Sequence, residues 1–299
     1  MTYSKRDMWV NNFLMQALSL RVSPLRLVAF LFVAGALFVP SVTKAAEEGI
    51  SIHLAPDIVF YLFGLPVTNT LMTVWLSMLI LVGMAFLVRQ RLAMVPGKLQ
   101  LLFELIIGGV YDYMKGVLES ETLTKKFFPL VMTIFLFILI MNWAGLLPGV
   151  DSIGIYKEAE SHGEVVEKLI PFFNPPATDL NITIAFALIA FVAIEFAGVT
   201  ILGFFKYTSK FINFKSPLAF VIGLIELLSE VARLISFSFR LFGNIFAGKT
   251  LLLVVMFLAT PYLLPVPLIA YELFVGFIQA FIFAILTLFF IKIAVEEPH

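Results

Sequence analysis

Five apolar runs, each long enough to cross a lipid bilayer, leave this chain few ways to fold. Val67–Val88, Phe127–Leu147, Asp179–Phe205, Pro217–Ala259 and Tyr262–Ala294 are separated by polar connections. A hydrocarbon core about 30 Å thick takes a helix of about 20 apolar residues. No water is available there to satisfy backbone groups, so runs of this length fold as helices. Composition agrees: 61% of the residues are hydrophobic and only 13% charged, against about 25% charged in soluble domains. Between the first two runs, Gly97–Leu118 interleaves Lys98, Glu104, Asp112 and Lys115 with apolar residues, the pattern of a helix lying along the membrane surface. The expected fold is all-α and membrane-integral, with about five membrane helices. The last two form a long tilted C-terminal helical hairpin about a tight Thr260-Pro261 corner, and the amphipathic helix lies at the interface.

Residues 1–45 read as a cleaved signal peptide. Lys5, Arg6, Arg21 and Arg26 precede the apolar run Leu27–Val39, which at about 13 residues is too short to span. Thr43 and Ala45 suit the small-residue positions before a signal-peptidase cut. A retained short helix is the alternative. Residues 46–299 then form a single membrane domain. Its orientation follows from the connections. Arg89, Arg91, Lys98, Lys115, Lys125 and Lys126 follow the first run, and Lys206, Lys210 and Lys215 follow the third. The connection after the second run is acidic, with Asp151, Glu158, Glu160, Glu164 and Glu167. Basic loops stay inside, so the mature N-terminus is expected outside and the C-terminus in the cytoplasm, in a bacterial inner membrane.

The zero net charge gives no footprint for nucleic acid. The absence of cysteine removes disulfides, thiol catalysis and Cys-based zinc sites. His53, His162 and His299 are too dispersed to read as a metal site, and no cofactor is expected.

The fourth run holds the feature that separates this chain from a generic five-span protein. Glu226, Glu230, Arg233, Arg240 and Asn244 fall within an arc of roughly 80° when placed on a helix. Arg240 has Phe237, Phe239, Leu241 and Phe242 around it and cannot easily snorkel. An arginine at a helix centre costs at least about 2.5–3.5 kcal/mol, so it marks a functional position by default. A packing role, with Arg240 paired to Glu195 or Glu272, is the alternative. Arg233 is nearer the basic loop, where an interfacial anchor and a functional role are equally open. In the fifth run Glu272 and Gln279, seven apart, share a face. Gly276, Ala280 and Ala284 permit a close helix contact.

Gly243-Asn-Ile-Phe-Ala-Gly248-Lys249-Thr250 matches the phosphate-binding pattern G-x-x-x-x-G-K-[ST]. A nucleotide-binding enzyme also needs an acidic residue ending a later apolar strand to hold magnesium, and no Asp follows Asp179. A stand-alone ion channel or secondary transporter could use the same polar stripe, but would need both access paths within one chain.

Arg240-Leu-Phe-Gly-Asn244, the later Gln279-Ala-Phe, Val95-Pro-Gly-Lys98-Leu-Gln100 with Glu104, Asn142 before Leu-Leu-Pro148, and Asp179-Leu-Asn181-Ile-Thr183 stand in one consistent order. Together, over roughly residues 60–295, the sequence resembles subunit a of the F-type ATP synthases. The resemblance implies a non-catalytic stator subunit. Such a subunit sits beside a rotating ring of c subunits, with the b subunits of the peripheral stalk, the rest of the complex and membrane lipid as partners. It implies ion translocation, with protons as the expected ion, through two half-channels that couple transmembrane flow to ATP synthesis. Arg240 matches the family's essential arginine, Gln279 its neighbour on the last helix, and Asn244 a half-channel residue. Glu226 matches a polar channel position by spacing. Lys249 and Glu272 stand where the family often carries an acid/His pair. An ammonium that holds its proton at neutral pH is a poor relay, so an ion pair orienting Glu272 and a purely structural pair are both open. Glu195, Glu230, Arg233 and Asn142 are expected in structural or interfacial roles.

Overall fold

The computed structural model describes residues 55–90, 97–147, 149–161, 164–211, 216–258 and 265–296. The signal segment, the three histidines and the Thr260-Pro261 corner lie outside the described residues. The chain is mainly helical. Helix α1 (Asn69–Gln90) is followed by the amphipathic helix α2 (Lys98–Leu118) and by α3 (Glu121–Ala144). Then come α4 (Leu180–Leu202), the short α5 (Phe204–Thr208), α6 (Pro217–Leu258) and α7 (Pro265–Val295). Among the described residues, α1, α3, α4 and nearly all of α7 are long and apolar enough to cross a membrane. The 42-residue α6 is longer than any of these. The fold is thus the all-α membrane architecture that the apolar runs dictate.

Side chains sort as lipid solvent requires. The buried residues of α1 are Asn69, Thr70, Thr73 and Ser77, while Leu79, Val82 and Phe86 are exposed. Hydrocarbon outside removes any drive to hide apolar groups, and small polar side chains instead join helices. Helix α4 turns Thr183, Ala187, Ala190, Ile194, Ala197 and Gly198 inward, a small-residue face that lets α6 and α7 approach closely. Helix α3 buries Val131, Ile134, Phe135, Ile138 and Met141, packing chiefly on α7, where Ala280, Phe283, Ala284, Leu288 and Ile291 are buried. Phe237 of α6 stacks on Phe283 at 4.9 Å.

Helix ends are set locally. Ser120 caps α3 through Leu123 N–H, and Asp179 caps α4 through Asn181 N–H. Pro129 lies inside α3, where its missing N–H removes the helical donor to Lys125 O, a loss that membrane helices tolerate.

Two antiparallel hairpins add to this all-helical plan. Strands β1 (Ile58–Leu62) and β2 (Leu65–Thr68) join through Phe63 and Gly64, at φ 50° and 83°, the left-handed pair that a two-residue hairpin turn demands. Strands β3 (Gly154–Ser161) and β4 (Glu164–Pro171) pair within the acidic connection. Both hairpins stand at helix ends, where water can satisfy the strand edges that hydrocarbon would leave bare.

Candidate functional site

Helix α6 is unbroken from Pro217 to Leu258, so the phosphate-loop look-alike Gly243–Thr250 is helical and offers no loop to cradle a phosphate. About three turns before it, Glu230 and Arg233 face inward. Glu230 is 6% exposed, and Arg233 Nη1 donates to its Oε2 at 2.6 Å. The guanidinium also stacks over the Phe290 ring of α7 at 3.9 Å. Arg233 is therefore an internal ion-pair partner rather than a snorkelling anchor.

Arg240 lies two turns further along the same face. It is half-buried, donates to Ser236 Oγ at 3.3 Å, and makes no ion pair among the described residues. Glu195 and Glu272, the acids considered as packing partners, have other neighbours. Along the same face of α6 run Ser229, Ala232, Ser236, Asn244 and Ala247, all exposed. On either side of Arg240, α6 thus carries a narrow track of small side chains, bordered by the exposed Leu228, Ile235 and Phe239.

Beyond Arg240, the site crosses to α7. Asn244 Nδ2 donates to Gln279 Oε1 at 2.6 Å. Gln279 is 2% exposed, and its Nε2 has no partner among the described residues. Two turns away on the same face, Glu272 is 3% exposed. Its carboxylate packs against Gly248, where an added Cβ would strike both oxygens. Lys249 Nζ donates to Asn174 Oδ1 in the connection before α4. Asn174 N–H in turn donates to Thr73 Oγ1 of α1 at 3.0 Å, and Thr70 Oγ1 donates to Asp179 Oδ2 at 3.1 Å. Asn142 Nδ2 and Trp143 Nε1 of α3 donate to Gly276 O and Leu273 O of α7, at 3.3 and 2.9 Å. Gly276 faces this contact, 3.2 Å from Asn142 Cβ for an added Cβ, so the small residues of α7 serve helix packing.

At the other end, Glu226 Oε1 is 4.0 Å from Lys210 Nζ. Glu195 of α4 accepts from Tyr207 Oη at 3.0 Å. The structure thus sorts the expected residues into two polar groups separated along α6 by Arg240. Asn244, Gln279, Glu272 and Lys249 stand on one side, and Glu226, Glu230, Arg233 and Glu195 on the other. Asn174, Tyr207 and Ser236 join these groups without having been signalled by the sequence.

The sequence pattern of the family described as ATP synthase A chain matches residues 71–292, from the first turn of α1 to the last turn of α7. The chain belongs to the ATP synthase A chain family. The ATP synthase subunit a of Syntrophobacter fumaroxidans is 35% identical over 225 residues, covering 75% of this chain and 83% of that protein. That of Moorella thermoacetica is 30% identical over 239 residues, 80% and 96% of the two chains. That of Mycobacterium ulcerans is 37% identical over 242 residues, 78% and 89%. As a member of the ATP synthase A chain family, the chain is a multi-pass membrane protein and a membrane subunit of the F-type ATP synthase, with the rest of that complex as its partner.

Proposed function

We propose that this subunit translocates protons through two half-channels at its interface with a rotating c ring, so that proton flow down its gradient drives ATP synthesis. The observation that carries the reading is Arg240: a half-buried guanidinium in a membrane helix, with Ser236 as its hydrogen-bond partner and no carboxylate paired with it among the described residues. A charge in that position is stabilised by an opposite charge from outside the chain, and the small-residue track around it admits a closely apposed helix. A fixed guanidinium favours the ionised form of a passing ring carboxylate. It also repels a cation moving directly between the two polar groups.

Asn244, Gln279, Glu272 and Lys249 line the outer half-channel, with Lys249 and Asn174 holding the wall against which Glu272 lies. Glu226 and its neighbours line the inner one. Each proton crossing supplies about 2.3 kcal/mol per 100 mV. The subunit itself carries out no bond chemistry on nucleotide. The b subunits of the peripheral stalk hold it against rotation. It sits in a bacterial inner membrane with its processed N-terminus outside and its C-terminus in the cytoplasm. A stand-alone channel would need no acid from a partner to match Arg240.

Replacing Arg240 with Ala abolishes proton-driven ATP synthesis while the complex still assembles. Arg240→Lys also fails, because an ammonium lacks the planar fork and is more strongly hydrated. Synthesis at the normal rate by either variant in energised vesicles would refute this function.

A further inference from the structure

Glu195 stands off the α6 stripe. It lies on α4, about 10 Å short of that helix's end at Leu202. Its Oε2 accepts the Tyr207 hydroxyl at 3.0 Å, while Oε1 is shielded from solvent and has no hydrogen-bond partner among the described residues. The backbone is arranged to deliver that hydroxyl. Gly203, at φ +84°, redirects the chain after α4 while its N–H still donates to Val199 O, a conformation that a side chain would strain. Helix α5 then places Tyr207, 4% exposed, with its ring against Gly198, one turn from Glu195. A Cβ at Gly198 would collide with that ring. Phe211 braces the phenol edge-on at 5.5 Å. Two glycines and a buried tyrosine in a basic connection thus converge on one contact.

Ionisable groups surround the contact. The charges of Glu230 and Arg233 of α6 act on the phenol, and those of Glu195 and Glu226 act on Glu230. Lys210, after α5, approaches Glu226. Burial, and then the Glu195 carboxylate, push the Tyr207 phenol above its ordinary range, so it keeps its proton and remains a donor. A carboxylate serving only as a packing element would have both oxygens bonded. Glu195 has one oxygen fixed by Tyr207 and the other shielded from solvent and unpartnered among the described residues.

Resting on the reading of this subunit as a proton-translocating stator, we propose that Glu195 is a proton-carrying residue of the cytoplasmic half-channel. It exchanges protons at Oε1 between cytoplasmic water and the Glu226–Glu230 side of α6, and Tyr207 is the positioning residue that aims it. An O–H bond forms at Oε1 as one breaks in a hydronium ion. The reverse exchange passes the proton to the next acceptor and restores the carboxylate.

The test uses the complete ATP synthase in liposomes, with pH varied on one face at a time. Glu195→Gln lowers proton-driven synthesis by at least about tenfold, and Glu195→Asp recovers part of it. Tyr207→Phe keeps the ring against Gly198, shifts the dependence of rate on cytoplasmic pH and leaves the dependence on outer pH unchanged. Wild-type rates and profiles in Glu195→Gln and Tyr207→Phe overturn the proposal. So does a uniform loss at every pH on both faces, which a purely structural role predicts. Should Glu195→Gln fail to assemble, the Tyr207→Phe profile decides alone. Arg240→Ala, measured alongside, separates the two readings. Synthesis in that variant ends the translocation reading, whereas its loss beside a normal Glu195→Gln ends only the assignment of Glu195.

Discussion

Gly248 controls where the Glu272 carboxylate can lie. Both residues are in membrane helices, and a methyl group at Gly248 would occupy the space of the acid's two oxygens. Gly243, five residues earlier on the same helix, has nothing within 4 Å of an added Cβ. Alanine is the better helix former by about 1 kcal/mol at either place, so propensity alone predicts that both substitutions are harmless. Gly248→Ala is instead expected to lower ATP-driven proton pumping markedly, and Gly243→Ala to leave it much closer to normal. Equal pumping by the two variants would show that the position of Glu272 is unimportant. At this scale, Arg240, Asn244 and Gln279 were legible in the sequence because a charge or amide is conspicuous among Phe and Leu. Asn174 and Tyr207 were not. They stand in polar connections where such residues are ordinary, and Asn174 meets Lys249 across 75 residues of chain.

Among the elements, the long helices follow directly from run length, because hydrocarbon leaves the backbone no other partner. Short elements carry no such signal. The two hairpins and α5 lie in the connections, where strand, turn and coil compete on nearly equal terms. The polar stripe of α6 shows a subtler limit. Five residues within one arc read as one face, yet what covers that face changes along the helix. Glu230 and Arg233 are covered and paired, while Arg240 and Asn244, further along, border the open track. Spacing reveals angle but not where a neighbouring helix rests. Helix α5 depends on Gly203, whose φ of +84° strains any side chain. Gly203→Ala is expected to cost about 1–3 kcal/mol and to loosen the α4–α5 turn. Faster proteolysis between Leu202 and Lys206 in the assembled complex would register it. Wild-type cleavage would mean that the turn tolerates the substitution.

For the whole molecule, the alternation of basic and acidic connections makes orientation the sharpest expectation. The chain has no cysteine, so single cysteines report without background. Ile153→Cys, beside the acidic hairpin, and Phe205→Cys, in the basic connection after α4, replace side chains that are 56% and 89% exposed. A membrane-impermeant maleimide is expected to reach the first from the outer face and the second from the cytoplasmic face of sealed vesicles. Labelling of both from one face would reverse the assignment of the loops. The exposed track on α6 has a mechanical consequence as well. Serine and alanine present little relief, and apolar contact has no directional preference. A surface gliding along that track would therefore meet almost no corrugation until an acid drew level with Arg240: a bearing with a single detent, where the stopping force is electrical and the glide between stops is nearly free.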